Sequence, residues 1–95
     1  MPRKADANQA AIVLALRQAG CLVLDLHTLG HGAPDLLCQG PNGMVLLECK
    51  SLGGRLTLAE LRFMDQGWLV RVVWNPGQAL EAVGLGAVGA PARQE

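Results

Sequence analysis

Apolar and polar positions follow two periods along this chain, and the changes between them mark its elements. From Asp6 to Ala19 the residues Ala10, Ile12, Val13, Leu14, Leu16 and Ala19 recur at helical spacing, with Asp6 as a cap and Gly20 as a stop. Cys21 to Leu26 is an apolar run interrupted by Asp25 and too short for a helix, so it predicts a strand. His27 to Pro34 breaks regular structure. Its small and flexible residues beside Pro34 let the backbone turn tightly and leave an entrance above Asp35. Two more apolar runs follow, one opening with Asp35 and one closing in Glu48-Cys49-Lys50, and Gly40-Pro41-Asn42-Gly43 between them signals a hairpin.

Turn chemistry leaves two registers open. A two-residue Pro41-Asn42 loop sets Asp35 opposite Glu48, whereas a type I turn with Gly43 as a left-handed bulge residue sets Asp35 opposite Cys49. Both bring Asp35 and Glu48 within reach of one divalent cation, and the strand period of two puts Lys50 on the face of Glu48. After a loop at Ser51–Arg55, Thr57 and Glu60 have the spacing of a capping box at the start of a helix that Gly67 ends. Trp68 to Trp74, broken only by Arg71, predicts a strand buried on both faces, parallel to the Lys50 strand and joined to it by a right-handed crossover. Asn75-Pro76-Gly77 reads as a turn and Gln78 to Val83 as a short helix. The expectation is one α/β domain over residues 1–83, a mixed four-stranded sheet flanked by helices in α-β-β-β-α-β order. Residues 84–95 form a Gly/Ala-rich tail expected to be poorly ordered.

Composition changes this picture in three ways. A chain of 95 residues buries only about two thirds of its unfolded surface, and with 17% charged residues against the usual ~25% it should leave apolar surface for a second copy, so a homodimer is the default. The formal net charge is zero, which neither demands nor excludes a nucleic acid. Cys21, Cys38 and Cys49 sit in apolar runs without disulfide spacing and read as reduced core thiols. No signal-type block or membrane-length apolar run is present, so an intracellular, soluble protein without membrane association is expected.

Pro34-Asp35, then Glu48-Cys49-Lys50, in this order of elements resembles the PD-(D/E)XK nuclease superfamily. Gly32-Ala33-Pro34-Asp35-Leu36, Glu48-Cys49-Lys50, Gly54-Arg55-Leu56-Thr57 and Arg62-Phe63 look like the blocks of its virus-type replication-repair branch, the VRR-NUC domain, over roughly residues 6–83. The resemblance implies a restriction-endonuclease-like core and a Mg²⁺- or Mn²⁺-dependent deoxyribonuclease. It implies an endonuclease of DNA replication or repair that leaves a 5′-phosphate, working as a homodimer on duplex or branched DNA such as a Holliday junction. The setting implied is the cytoplasm of a prokaryotic or phage-infected cell.

In that reading Asp35 and Glu48 are metal ligands, the backbone carbonyl of Cys49 is a third, and Lys50 orients the attacking water and stabilises developing charge. Family members often carry glutamine where Glu60 stands, and an acidic residue in the first helix, for which Asp6 and Gln9 are the accessory candidates. Arg55, after two glycines, is the candidate phosphate clamp, with Arg62 as a further DNA contact. Arg3, Lys4 and Arg17 are the other basic residues available to a DNA-facing surface. His27 and His31 match no zinc spacing, and Cys49 alternates away from Glu48 and Lys50, which argues against a thiol nucleophile. The alternative function is a catalytically inactive nuclease fold serving as a nucleic-acid-binding or assembly subunit.

Overall fold

The computed structural model describes residues 7–85. Seven elements follow one another: α1 (Ala7–Gln18), β1 (Leu22–Asp25), β2 (Leu36–Gly40), β3 (Gly43–Cys49), α2 (Leu58–Asp65), β4 (Val70–Val73) and α3 (Pro76–Ala82). The strands form one mixed sheet in the order β1-β2-β3-β4, antiparallel across the first three and parallel between β3 and β4. Asp6, the expected cap of α1, lies outside the described residues.

The hairpin adopts the two-residue Pro41-Asn42 loop. Gly40 pairs with Gly43 and Leu36 with Leu47, the register that sets Asp35 opposite Glu48; the bulged alternative is not formed. Because side chains alternate, the same register sends Leu36, Cys38, Leu47 and Cys49 to one face and Glu48 to the other. The first face is the core. It is sealed by Ile12 and Leu16, one helical turn apart on α1, and by Ala79, Ala82 and Val83 in and just after α3. All three cysteines are buried and none is in a disulfide, as expected. On α1 only part of the apolar set faces inward: Leu14 and Ala10 are exposed, since helical spacing carries them round from the Ile12–Leu16 stripe.

Three expectations need correction. The last strand is not buried on both faces. It spans only Val70–Val73, where Arg71 is exposed and only Val73 is fully buried, and Leu69 just before it is 87% exposed; α2 contributes no fully buried residue to cover it. The final helix begins at Pro76, not Gln78: Asn75 accepts from the Gln78 N–H at 2.8 Å and Pro76 supplies a preset first turn, so the apparent breaker is a helix start. Gly84 and Leu85, counted as tail, close that helix. The Leu85 N–H donates to the Leu80 carbonyl at 2.8 Å, and Leu85 packs on the core. The rest of the tail lies outside the described residues.

The Gly-rich entrance loop lines the cleft beside Asp35 through Gly30, Gly32 and Ala33, and it also packs against a helix. Gly30, His31 and Gly32 take successive left-handed conformations, and a Cβ on Gly32 would overlap the Ala59 carbonyl in the first turn of α2. The missing side chain makes room for a helix. Among the described residues no helix is long and apolar enough to cross a membrane. Gly30→Ala, whose Cβ meets nothing within 4 Å, is expected to cost about 1–2 kcal/mol from backbone conformation alone. Gly32→Ala should cost clearly more, ~3 kcal/mol or greater, because backbone must also move. Urea unfolding of the two variants checks the difference.

Candidate functional site

One end of the sheet opens into a cleft of about 880 Å³ lined by Asp35, Glu48, Lys50, Arg55 and Glu60, among others. Asp35 stands immediately before β2, and Lys50 immediately after β3. The Asp35 Oδ2 atom accepts from the Cys49 N–H at 2.8 Å, which ties the aspartate to the end of the neighbouring strand. Cys49 has its thiol in the core, so what it offers the cleft is main chain. An extended residue sends its N–H and C=O toward the same neighbour, so the Cys49 carbonyl leaves β3 on the Asp35 side.

Lys50 Nζ lies 3.2 Å from Glu48 Oε2 and 3.0 Å from Glu60 Oε1. The Glu60 Oε1 atom also accepts from the Thr57 N–H at 2.8 Å, completing the capping box that starts α2. Glu60 therefore combines the cap role expected of it with a direct contact to the site. The Lys50 backbone is fixed at both ends. Its N–H donates to the Val73 carbonyl at 2.9 Å, and its carbonyl accepts from Asn8 Nδ2 at 2.7 Å.

Three carboxylates face one ammonium here, and burial decides which of them carries charge. Glu48 is only 3% exposed. Loss of solvent, a hydrogen bond with Glu60 and the negative charges of Asp35 and Glu60 push its carboxyl up to about 8, and Lys50 only partly opposes them. Burial also works against charge on Glu60, but the Thr57 N–H and the hydrogen bonds from Glu48 and Lys50 outweigh it and hold Glu60 below the usual range. Burial likewise opposes the Lys50 charge, and the hydrogen bonds and charges of Glu60 and Glu48 overcome it, keeping the ammonium above its ordinary value.

This donor set suits a divalent cation. Two hard oxygen donors, Asp35 and Glu48, sit side by side, one of them kept protonated by burial and like charge, and a cation relieves the repulsion that the proton now relieves. Among the described residues no three His, Cys, Asp or Glu side chains converge as a metal cage.

Of the accessory candidates, Gln9 lines the cleft and Asp6 lies outside the described residues. Arg55 lines the cleft from an exposed turn. There Gly53 adopts φ +83° and the Gly54 N–H donates to the Ser51 carbonyl at 2.8 Å, so the paired glycines are explained by the turn itself. Arg62 is exposed on α2 and Arg17 donates to the Val23 carbonyl at 3.1 Å; neither is among the residues lining the cleft. Arg3 and Lys4 lie outside the described residues. Sequence reasoning missed Asn8, and it missed Asp25 with His27, which line the cleft from the end of β1. The Asn8 contact spans 42 positions, beyond any local signal.

Comparison of the chain with protein-family models, curated proteins and solved structures returned no match.

The raised Glu48 carboxyl fixes the sign of one pH dependence. Between the ordinary carboxylate range and about 8, the folded protein holds a proton that the unfolded chain has released, so stability falls as pH rises through that window and levels off above it. Glu48→Gln, neutral throughout, should flatten the decline and leave the metal-free protein more stable than the parent at pH 9 by on the order of 1–3 kcal/mol. Chemical unfolding at pH 5, 7 and 9 in chelator tests this; identical pH dependence in both proteins would disprove the assignment.

Proposed function

We propose that the protein is a metal-dependent endonuclease that hydrolyses DNA phosphodiester bonds, with Asp35, Glu48 and Lys50 at the reacting centre. The observation that carries this reading is the side-by-side Asp35 and Glu48 carboxylates with Lys50 fixed 3.2 Å from Glu48 at the end of the same strand. The arrangement agrees with the Pro34-Asp35 and Glu48-Cys49-Lys50 motifs of the PD-(D/E)XK nucleases and their VRR-NUC branch. A Mg²⁺ or Mn²⁺ ion held by Asp35, Glu48 and the Cys49 carbonyl would neutralise phosphate charge and render a bound water more acidic.

The protein's own groups do the rest. Lys50, with its backbone pinned by Val73 and Asn8, presents a preorganised ammonium to the charge that builds on the phosphoryl oxygens. Glu60 keeps that ammonium charged and aimed across the cleft. Arg55 supplies a planar pair of donors to a phosphate oxygen on the α2 side. The reading takes branched or duplex DNA as substrate, cut in replication or repair by a homodimer. Exposed Leu22, Leu24, Leu58, Leu61 and Leu69 support a second copy, since a lone chain leaves this apolar surface in water.

Purified protein with Mg²⁺ or Mn²⁺ is expected to cut DNA from a panel of branched and linear substrates, and to sediment at twice the mass of the chain. Lys50→Ala should lower the cutting rate by about 10²–10³-fold. Equal cutting by parent and variant would remove Lys50 from the reaction, and no cutting under any divalent cation would end the nuclease reading.

A further inference from the structure

The β1–β2 ladder runs one residue beyond the end of β1. The Leu26 N–H donates to the Asp35 carbonyl at 2.7 Å, so His27 begins one residue from a backbone bonded to that of Asp35. Asp25, the last residue of β1, accepts twice on one oxygen: from the His27 main-chain N–H at 2.8 Å and at His27 Nδ1 at 2.8 Å. The first bond makes an ordinary turn. The second orients the imidazole and, with Asp25 ionised, requires the proton on Nδ1, which leaves Nε2 as the ring atom available to a ligand. Asp25 stays ionised chiefly because the His27 main-chain N–H lowers its carboxyl, against a smaller opposing effect of burial and with help from the His27 ring and Arg17.

Asp25 and His27 are about half exposed and line the same cleft as Asp35, Glu48 and Lys50. In the strand order β1-β2-β3, the end of β1 and the end of β3 flank the start of β2, so His27 and the Lys50–Arg55 segment stand on opposite sides of Asp35. One interstrand spacing, about 5 Å, separates β1 from β2. A polyanionic strand crossing a cleft that carries Asp25, Asp35, Glu48 and Glu60 needs donors on both sides of its reacting phosphate. Arg55 supplies one side.

We propose that His27, held by Asp25, supplies the other side, contacting through Nε2 the phosphate adjacent to the one held at Asp35 and Glu48. This rests on the nuclease reading and names a substrate contact within it. With Nδ1 turned to Asp25, Nε2 is the ring atom that meets the phosphate oxygen, and the hydrogen bond between them fixes where the DNA strand leaves the cleft.

The test combines steady-state cleavage of a fluorescent branched DNA in Mg²⁺ with anisotropy binding of the same DNA without divalent cations. His27→Ala should raise KM and Kd about tenfold and leave kcat within about threefold. His27→Gln, which keeps a donor at the side-chain tip, should recover part of the loss. Asp25→Asn retains an oxygen for the main-chain turn but loses the charge that orients the ring, so it should weaken binding without lowering the melting temperature. Parent-like KM and Kd in His27→Ala, while the parent cuts normally, would overturn this proposal alone. So would a binding loss in Asp25→Asn that only tracks lost stability, with His27→Ala unaffected. A parent protein that does not cut would overturn the nuclease reading and this contact with it.

Discussion

The Lys50 ammonium, between the carboxylates of Glu48 and Glu60, is the interaction on which the rest of the molecule depends. It joins the end of β3 to the first turn of α2, alongside the hydrogen bond between Glu48 and Glu60. The Glu60 oxygen that meets Lys50 also caps α2, so the start of the helix and the position of the ammonium are set by the same atom. Charge explains why a single lysine suffices. Burial keeps a proton on Glu48, so the lysine balances mainly Glu60, and the cluster avoids the cost of two ionised carboxylates where water is scarce.

The hairpin register supplies the second constraint. The pairing that sends Leu36 and Leu47 into the core also turns Glu48 toward the opposite face and sets Asp35 across from it. The hydrophobic effect thus places two carboxyl groups side by side, an arrangement that raises the Glu48 carboxyl rather than leaving both ionised. Core and cleft are two faces of the same strand pairing, and the core enforces the geometry of the cleft.

Much of what is local in the chain was legible in the sequence. The hairpin loop, the Thr57–Glu60 box and the buried cysteines each follow from a few neighbouring residues, and the structure contains all of them. The run from Trp68 to Trp74 misled because apolar residues encode burial without saying what does the burying, and here one side of β4 meets no strand. Asn75-Pro76 misled because the same two residues serve a turn or a helix start. Asn8 on the Lys50 carbonyl and the Asp25–His27 pair at the mouth of the cleft arise from tertiary placement, which no periodicity announces.

The hairpin tip has a consequence for how this chain can change in length. The Asn42 N–H donates to the Val83 carbonyl at 3.2 Å, and a Cβ on Gly40 would meet Cys21 Sγ and Val83 at 3.1 Å, so the tip is packed. If the loop stays at two residues, one residue inserted there would flip every following side chain of β3, turning Glu48 into the core and Leu47 out of it. The exposed Ser51–Arg55 loop lies beyond the paired strands, so added residues there shift no register. Length variants of this fold should therefore accumulate after Lys50 and be nearly absent between Gly40 and Gly43, which makes the spacing from Asp35 to Glu48 a more rigid signature of the molecule than most of its residue identities.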